Sequence, residues 1–260
     1  MRQQLIPLAI TSVDPPSTAD SVGFGFSPND GQTYVIKSPE IHRLLPATEA
    51  FCEWLGAACQ LPVTNGAWVD LNGTSCYGSR WEGGLQKDYI NENGEVSFTT
   101  LKKMWQESTK PSIATAIFAF DLFVNNFDRH FGNYAIQRQN NNFTIRIYDF
   151  SRSWWVCADN LSNLPLPSEM KKMPSPDQRT CDTYKMIQKW IGGNDLSAAR
   201  NVLNLLLQIS TELVDRYINT MPTGWLDQQV IDSTLSWWDS SARKARIEDI
   251  EQGLKNGTLF

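Results

Sequence analysis

The run Pro111 to Val124 restricts the fold more than any other stretch, because Ile113, Ile117, Phe118, Phe120, Leu122 and Phe123 leave it almost no polar face. A helix that is apolar all round is stable only when it is surrounded, so the rest of the chain must be built about it. With 260 residues the chain is long enough for that, either as one domain or as two small lobes that share a core. An apolar fraction of 41% and a charged fraction of 20% are those of a folded globular protein.

Upstream of this helix the pattern is mainly β. Gln4 to Val13 predicts a first strand, closed by Asp14-Pro15-Pro16, and Ser21 to Ser27 a second with Phe24 and Phe26 on one face. Asn29-Asp30-Gly31 is a hairpin turn signal, since Asn and Gly tolerate the positive φ such turns need. Gln32 to Lys37 follows as a strand ending in lysine. Pro46 to Gln60 predicts a helix, with Pro46 in its first turn, and Ala67 to Leu71 and Thr74 to Trp81 predict strands joined at Asn72-Gly73. Gly83-Gly84 marks a link, dividing a β-rich lobe, 1–83, from a helical lobe, 84–260.

Beyond the link, Phe98 to Glu107 predicts an amphipathic helix. The buried helix is followed by two short strands, Asn133 to Gln137 and Phe143 to Tyr148. Ser151 to Thr180 is proline-rich and without clear periodicity, the kind of long loop that is more often functional than architectural. Cys181 to Trp190, Asp195 to Met221 and Leu226 to Leu254 predict closing helices. Of the ten tryptophans most read as core or edge, with Trp154-Trp155 and Trp237-Trp238 as candidates for a substrate or partner surface.

Charge and composition narrow the function. A net charge of −5 argues against direct nucleic-acid binding, which needs a basic field. Five cysteines without a C-x-x-C pair read as reduced thiols of a cytoplasmic protein, and two histidines give a zinc site few ligands. No run of about 18 apolar residues predicts a membrane span, and Met1 to Ile10 lacks the long apolar region of a signal peptide.

The chemistry concentrates in Asn125-Asn126-Phe127-Asp128-Arg129-His130-Phe131-Gly132-Asn133 and in Ile147-Tyr148-Asp149-Phe150-Ser151. Transfer of a phosphoryl group to an alcohol needs a carboxylate for the hydroxyl and hard oxygen ligands for the metal that bridges the phosphates. Asp128 and Asn133, five apart in one loop, offer a base and an amide oxygen, and Asp149 at the end of a strand offers a second ligand. Taken alone, D-R-H is equally a surface loop with a salt bridge, and Lys37 a solvated strand end. His130 and Arg129 are as readily structural as chemical.

D-R-H-x-x-N followed by an apolar strand ending in D-F-S resembles the catalytic loop and metal-binding aspartate of HipA-like kinases, and lipid-kinase relatives have a similar loop. Ala116 to Asn126 resembles the buried helix before that loop, Tyr34-Val35-Ile36-Lys37 the strand of the nucleotide-binding lysine, and Thr48-Glu49 with Trp54-Leu55 and Leu61-Pro62-Val63 that group's next helix. The resemblance covers roughly residues 20 to 155. It implies an α+β, two-lobed protein-kinase-like fold, ATP and Mg²⁺ as cofactors, and a serine or threonine hydroxyl of a protein as acceptor. It further implies that Asp128 is the base, that Asn133 and Asp149 hold metal, and that Lys37 contacts the α- and β-phosphates with Glu49 holding it. Gly23 and Gly25 stand for the glycine-rich loop, with Pro28 where a third glycine would fall. Ser151 replaces the glycine of D-F-G, Thr48 an asparagine and Gln60 a glycine.

The larger HipA proteins are toxins paired with a DNA-binding antitoxin, which makes an antitoxin-like protein a candidate partner; the present chain is short for their additional N-terminal domain. Ser17, Thr18, Ser21 and Ser27 are candidate autophosphorylation sites. Two other readings stay open: a small molecule or lipid head group as acceptor, and a pseudokinase that binds nucleotide without transfer.

Overall fold

In the computed structural model, residues 6–14, 20–81, 97–108, 112–139, 142–158, 161, 164, 167 and 179–259 are described. The expected link Gly83-Gly84, Ser17, Thr18 and the greater part of the proline-rich stretch lie outside them.

Turn chemistry sets the sheet. Gly31 has φ 70°, and Asn72 and Gly73 have φ 54° and 85°, so both hairpins turn through the left-handed region that these residues enter at least cost. The six strands β1 (Leu8–Ala9), β2 (Ser12–Asp14), β3 (Gly23–Ser27), β4 (Gln32–Lys37), β5 (Gly66–Leu71) and β6 (Thr74–Trp81) lie in the order β1-β5-β6-β4-β3-β2, and β1–β5 is the parallel pair. The expected first strand is therefore two strands on opposite edges of one sheet. The chain changes partner at its middle: the Ile10 N–H donates to Asp70 O (2.9 Å) and the Thr11 N–H to Phe26 O (3.1 Å). These two bonds draw the edges toward each other and curl the sheet.

Register divides the two faces. Phe24, Val35 and Ser79 align on the face that carries Lys37 and Tyr77. On the other face Tyr34, Ile36, Val69 and Cys76 close with Ile10 into a small core of their own.

Helix α1 (Leu45–Ala58), with proline in its first turn, is buried along most of its length. It belongs to the large core as much as to the sheet: Trp54 stacks on Tyr217 (4.4 Å between ring centres), and the Tyr217 hydroxyl donates to Ala50 O (2.8 Å). Ser97 caps α2 (Phe98–Gln106). Helix α3 (Ile113–Phe123) is buried from Ala114 to Phe123, as its apolar circumference demands. It is enclosed by α5 (Arg179–Ile191), α6 (Leu196–Gln208) and α9 (Ser241–Asn256). Between them the chain forms the hairpin β7 (Tyr134–Gln139) and β8 (Asn142–Ile147) and the short α4 (Trp154–Cys157).

Two expected long helices are each divided by a serine. Ser210 accepts from Leu213 N (3.3 Å) and starts α7 (Thr211–Ile218); Ser240 accepts from Ala242 N (3.2 Å) and separates α8 (Gln228–Asp239) from α9. A serine hydroxyl that takes an orphan N–H favours a new helix start over continuation. The two tryptophan pairs are core and not surface: Trp154, Trp155 and Trp238 are fully buried and Trp237 nearly so, clustered about Phe51 and Phe123. Trp155 donates its indole N–H to Thr234 (2.9 Å) and Trp238 to Ile209 O (2.8 Å), which satisfies the polar end of each ring. All five cysteines are free thiols. Among the described residues no helix is long and apolar enough to cross a membrane.

Candidate active site

Strand β4 delivers Lys37 to the junction between the curled sheet and the helical part, and α1 and the segment after β8 meet it there. Its ammonium lies 3.1 Å from Glu49 Oε1, 2.9 Å from Asp149 Oδ1 and 3.2 Å from Ser151 Oγ. The ammonium thus has two hydrogen bonds and an ion pair, in a place where lysine and glutamate are both 1% exposed. Burial works to strip the Lys37 proton, but Glu49 and then Asp149 outweigh it and hold its pKa above the ordinary value. Asp149 shows the complementary result. Burial favours its neutral form, yet Lys37 and the Ser151 hydrogen bonds keep it well below the usual carboxylate range. Burial lifts Glu49 to about 7 against the pull of Lys37, while its Oε2 accepts the Phe150 N–H (2.9 Å). Asp149 itself sits at φ 64°, a left-handed conformation that turns its carboxylate back toward the lysine.

The loop after α3 is fixed from beneath. Arg129, fully buried, grips Asp121 through Nε and Nη2 (3.0 Å each) and turns Nη1 to the carbonyls of Tyr148 and Asn133 (3.3 Å to Asn133 O). Its guanidinium lies over the Phe150 ring, 4.8 Å from the centre. One side chain therefore ties the end of α3, the loop and the strand leading to Asp149 into one unit. Asn126 adds a bond to Asp121 (3.0 Å), and Thr180 accepts from Arg129 N (2.9 Å) while donating to Asn126 O (2.6 Å). His130 folds back to accept the Gly132 N–H on Nδ1 (3.0 Å), and burial lowers its pKa, so it caps the turn as a neutral ring.

Above this support stand the polar groups. Asn133 donates its amide N–H to Asp128 O (2.9 Å), which sets the orientation of the amide. The carboxylate of Asp128 is held by Arg179 (3.1 Å) and more loosely by Arg152 (3.6 Å), and Arg152 also reaches Asp20 (3.2 Å). Lys37, Glu49, Asp149, Asn133 and Asp128 are thus linked through one short stretch of backbone and paired side chains. Gly23 and Gly25 are not part of that linkage. A Cβ on Gly23 would strike Asp14 O, and one on Gly25 would meet Ile10 and Ile36, so both answer to packing on the outer face of the sheet. On the face that carries Lys37, the neighbouring positions are Phe24 and Phe26. Phe24 packs edge-on against Trp81 (5.2 Å), and Trp81 against Tyr148 (6.1 Å), an aromatic wall next to Asp149.

Sequence reasoning passed over several of these residues. Asp121 carried a signal, since it is a lone carboxylate in an apolar helix. Arg152, Arg179 and Thr180 carried none: they come from a stretch without periodicity and reach Asp128 and its loop only through the tertiary fold.

The donor set fits a magnesium ion that arrives with phosphates. Among the described residues no cluster of three or more His, Cys, Asp or Glu could hold a metal unaided. Asp149 uses Oδ1 for Lys37 and Ser151, which leaves Oδ2, and Asn133 supplies an amide oxygen. One carboxylate and one neutral oxygen, completed by phosphate and water, is a usual magnesium arrangement.

A curled sheet with a buried lysine–glutamate pair, set on a helical body with the aspartate–asparagine loop, defines a kinase-like protein. The model of the HipA-like kinase family matches residues 23–242, and the chain belongs to that family, whose members are phosphotransferases of the kinase type. Among solved structures it is similar to the Helicobacter pylori proinflammatory kinase CtkA, with a TM-score of 0.52 and 13% identity over 98% of this chain and 100% of that one. It is also similar to Shewanella oneidensis MR-1 HipA, solved in a toxin–antitoxin complex with HipB and operator DNA, with a TM-score of 0.50 and 14% identity over 87% of this chain and 60% of that one. At these identities the likeness is one of fold. No curated protein matches the chain.

Proposed function

We propose that this chain is an ATP- and Mg²⁺-dependent protein kinase that phosphorylates serine or threonine. The observation that carries the reading is the buried contact among Lys37, Glu49 and Asp149, residues far apart in sequence with no role in the core that an apolar triad would not fill better. Asp128 orients and deprotonates the acceptor hydroxyl. Asn133 and Asp149 hold the magnesium ion, which when bound neutralises charge on the phosphates. Lys37 exchanges its Asp149 and Ser151 contacts for phosphate oxygens while Glu49 keeps it in place. The wall of Phe24, Trp81 and Tyr148 offers a flat face to the base, and the strand bearing Gly23 and Gly25 roofs the cleft.

The likeness to a HipA solved with HipB makes an antitoxin-like protein the candidate partner. A net charge of −5 supports the reading that the chain does not bind nucleic acid directly, and we place it in the cytoplasm. One observation favours a second reading, a nucleotide-binding pseudokinase: Lys37 is held by Asp149, Ser151 and Glu49, and Asp128 by two arginines. Calorimetric titration with ATP tests the common part. Binding that strengthens at least tenfold with Mg²⁺ supports both readings; equal or absent binding with and without Mg²⁺ rejects both.

A further inference from the structure

Beside Asp128 lies a cavity of about 370 Å³ to which the proposed transfer gives no occupant. Its apolar walls are Ile41, Leu45, Phe127 and Val156. Phe127 directly precedes Asp128, and Arg152, which also lines the cavity, is the residue that reaches from Asp128 to Asp20. The cavity therefore opens beside the carboxylate that receives the acceptor, with Ser151 between it and the buried contacts of Lys37. Leu45 is buried in its wall, whereas Ile41 is 38% exposed at the rim, one of the few large apolar side chains left to solvent among the described residues. Asp20, His42, Ser151 and Arg152 give the cavity one polar side, and an apolar group entering against the other would cover Ile41.

We propose that this cavity receives a bulky apolar side chain flanking the phosphorylated residue, so that the acceptor is an extended protein segment with Leu, Ile, Met or Phe within two positions of its serine or threonine. The inference rests on the kinase reading and names the substrate class of the same site. An extended strand advances roughly 3.3 Å per residue, so a hydroxyl at Asp128 places its near neighbours within reach of the adjoining wall. The half-exposed guanidiniums of Arg152 and Arg179 at Asp128 have N–H groups for the carbonyls of such a segment.

The test is a positional peptide library presented with ATP and Mg²⁺ to the wild-type protein and to Ile41→Asp, with phosphopeptide formation and ATP consumption both recorded. The wild type should prefer a bulky apolar residue over alanine at one flanking position by about tenfold to a hundredfold in kcat/KM, the range of discrimination by an apolar pocket. Ile41→Asp should turn that preference toward lysine or arginine at the same position, a reversal that misfolding cannot produce. Phosphorylation indifferent to the flanking residues, or a preference that Ile41→Asp leaves unchanged, overturns the inference. ATP consumption that serves only a small alcohol or a lipid overturns it and leaves the phosphotransferase reading standing. No ATP consumption under any condition overturns the kinase reading and this inference with it.

Discussion

Replacing Lys37 by methionine removes the ammonium that Glu49 and Asp149 share while keeping most of the stem's volume. Both carboxylates then stand buried without their cation. Breaking a buried ion pair in this way costs about 3–5 kcal/mol, because the partner left behind is desolvated and unpaired. For a chain of this size that lowers Tm by about 6–20 °C. The cost must depend on pH. In the wild type the folded pKa of Asp149 lies below its unfolded value, so its stabilising share is present above the unfolded value and lost only as pH falls through the folded one. Glu49 behaves in the opposite way: its folded pKa of about 7 exceeds the unfolded value, so its share is full in acid and fades as pH rises through 7. Without Lys37 both carboxylates titrate upward, and ionising them near neutrality opposes folding. The gap between wild type and Lys37→Met should therefore narrow by about 1–2 kcal/mol between pH 7.5 and pH 5. Urea unfolding of both proteins at the two pH values measures it. A variant as stable as the wild type at pH 7.5, or a gap that widens in acid, would refute the electrostatic account of this cluster.

Other substitutions separate chemistry from support. Asp128→Asn should lower turnover by about 10² to 10⁴, the usual contribution of a general base, with nucleotide affinity largely kept in the same titration. Arg129→Lys cannot reproduce the forked grip on Asp121 and the carbonyls beyond it, and chemical denaturation should show a loss of at least about 2 kcal/mol together with lost turnover. His130→Asn keeps an acceptor for the Gly132 N–H, so turnover and its pH profile should stay within about threefold of the wild type. A larger fall with a displaced pH profile would make His130 a proton carrier.

Much of this arrangement is legible in the chain because it is local. The buried helix, the Asp128–Asn133 loop after it and the strand that ends at Asp149 follow one another within some forty residues, and each carries its own signal of apolar period or polar spacing. Lys37 is marked by the hairpin that precedes it. The arginines at Asp128 escape such reading, since Arg152 and Arg179 gain meaning only when the chain between them folds back on the loop. The tryptophan pairs escape it too, because one ring of each has a buried partner for its N–H that only the tertiary fold supplies, Thr234 for Trp155 and Ile209 O for Trp238. The broken first strand depends on Asp70 and Phe26, whose carbonyls take the Ile10 and Thr11 N–H groups from opposite edges of the sheet. The glycine pair has a packing role that is hidden for a related reason. Gly23 and Gly25 have the spacing of a phosphate loop, but the contacts that require glycine there are Asp14, Ile10 and Ile36 on the far face.

The central claim is that Asp149, held ionised by Lys37 and Ser151, joins Asn133 in holding the metal for transfer of a phosphoryl group. ATP turnover by the purified protein, with and without Mg²⁺ and beside Asp149→Ala, tests it most directly. The account predicts turnover that requires Mg²⁺ and falls by at least about 10² in the variant, the scale lost when electrostatic stabilisation of a transferring phosphoryl group is removed. Turnover that proceeds without added metal in chelator, or an Asp149→Ala protein as active as the wild type, would contradict it.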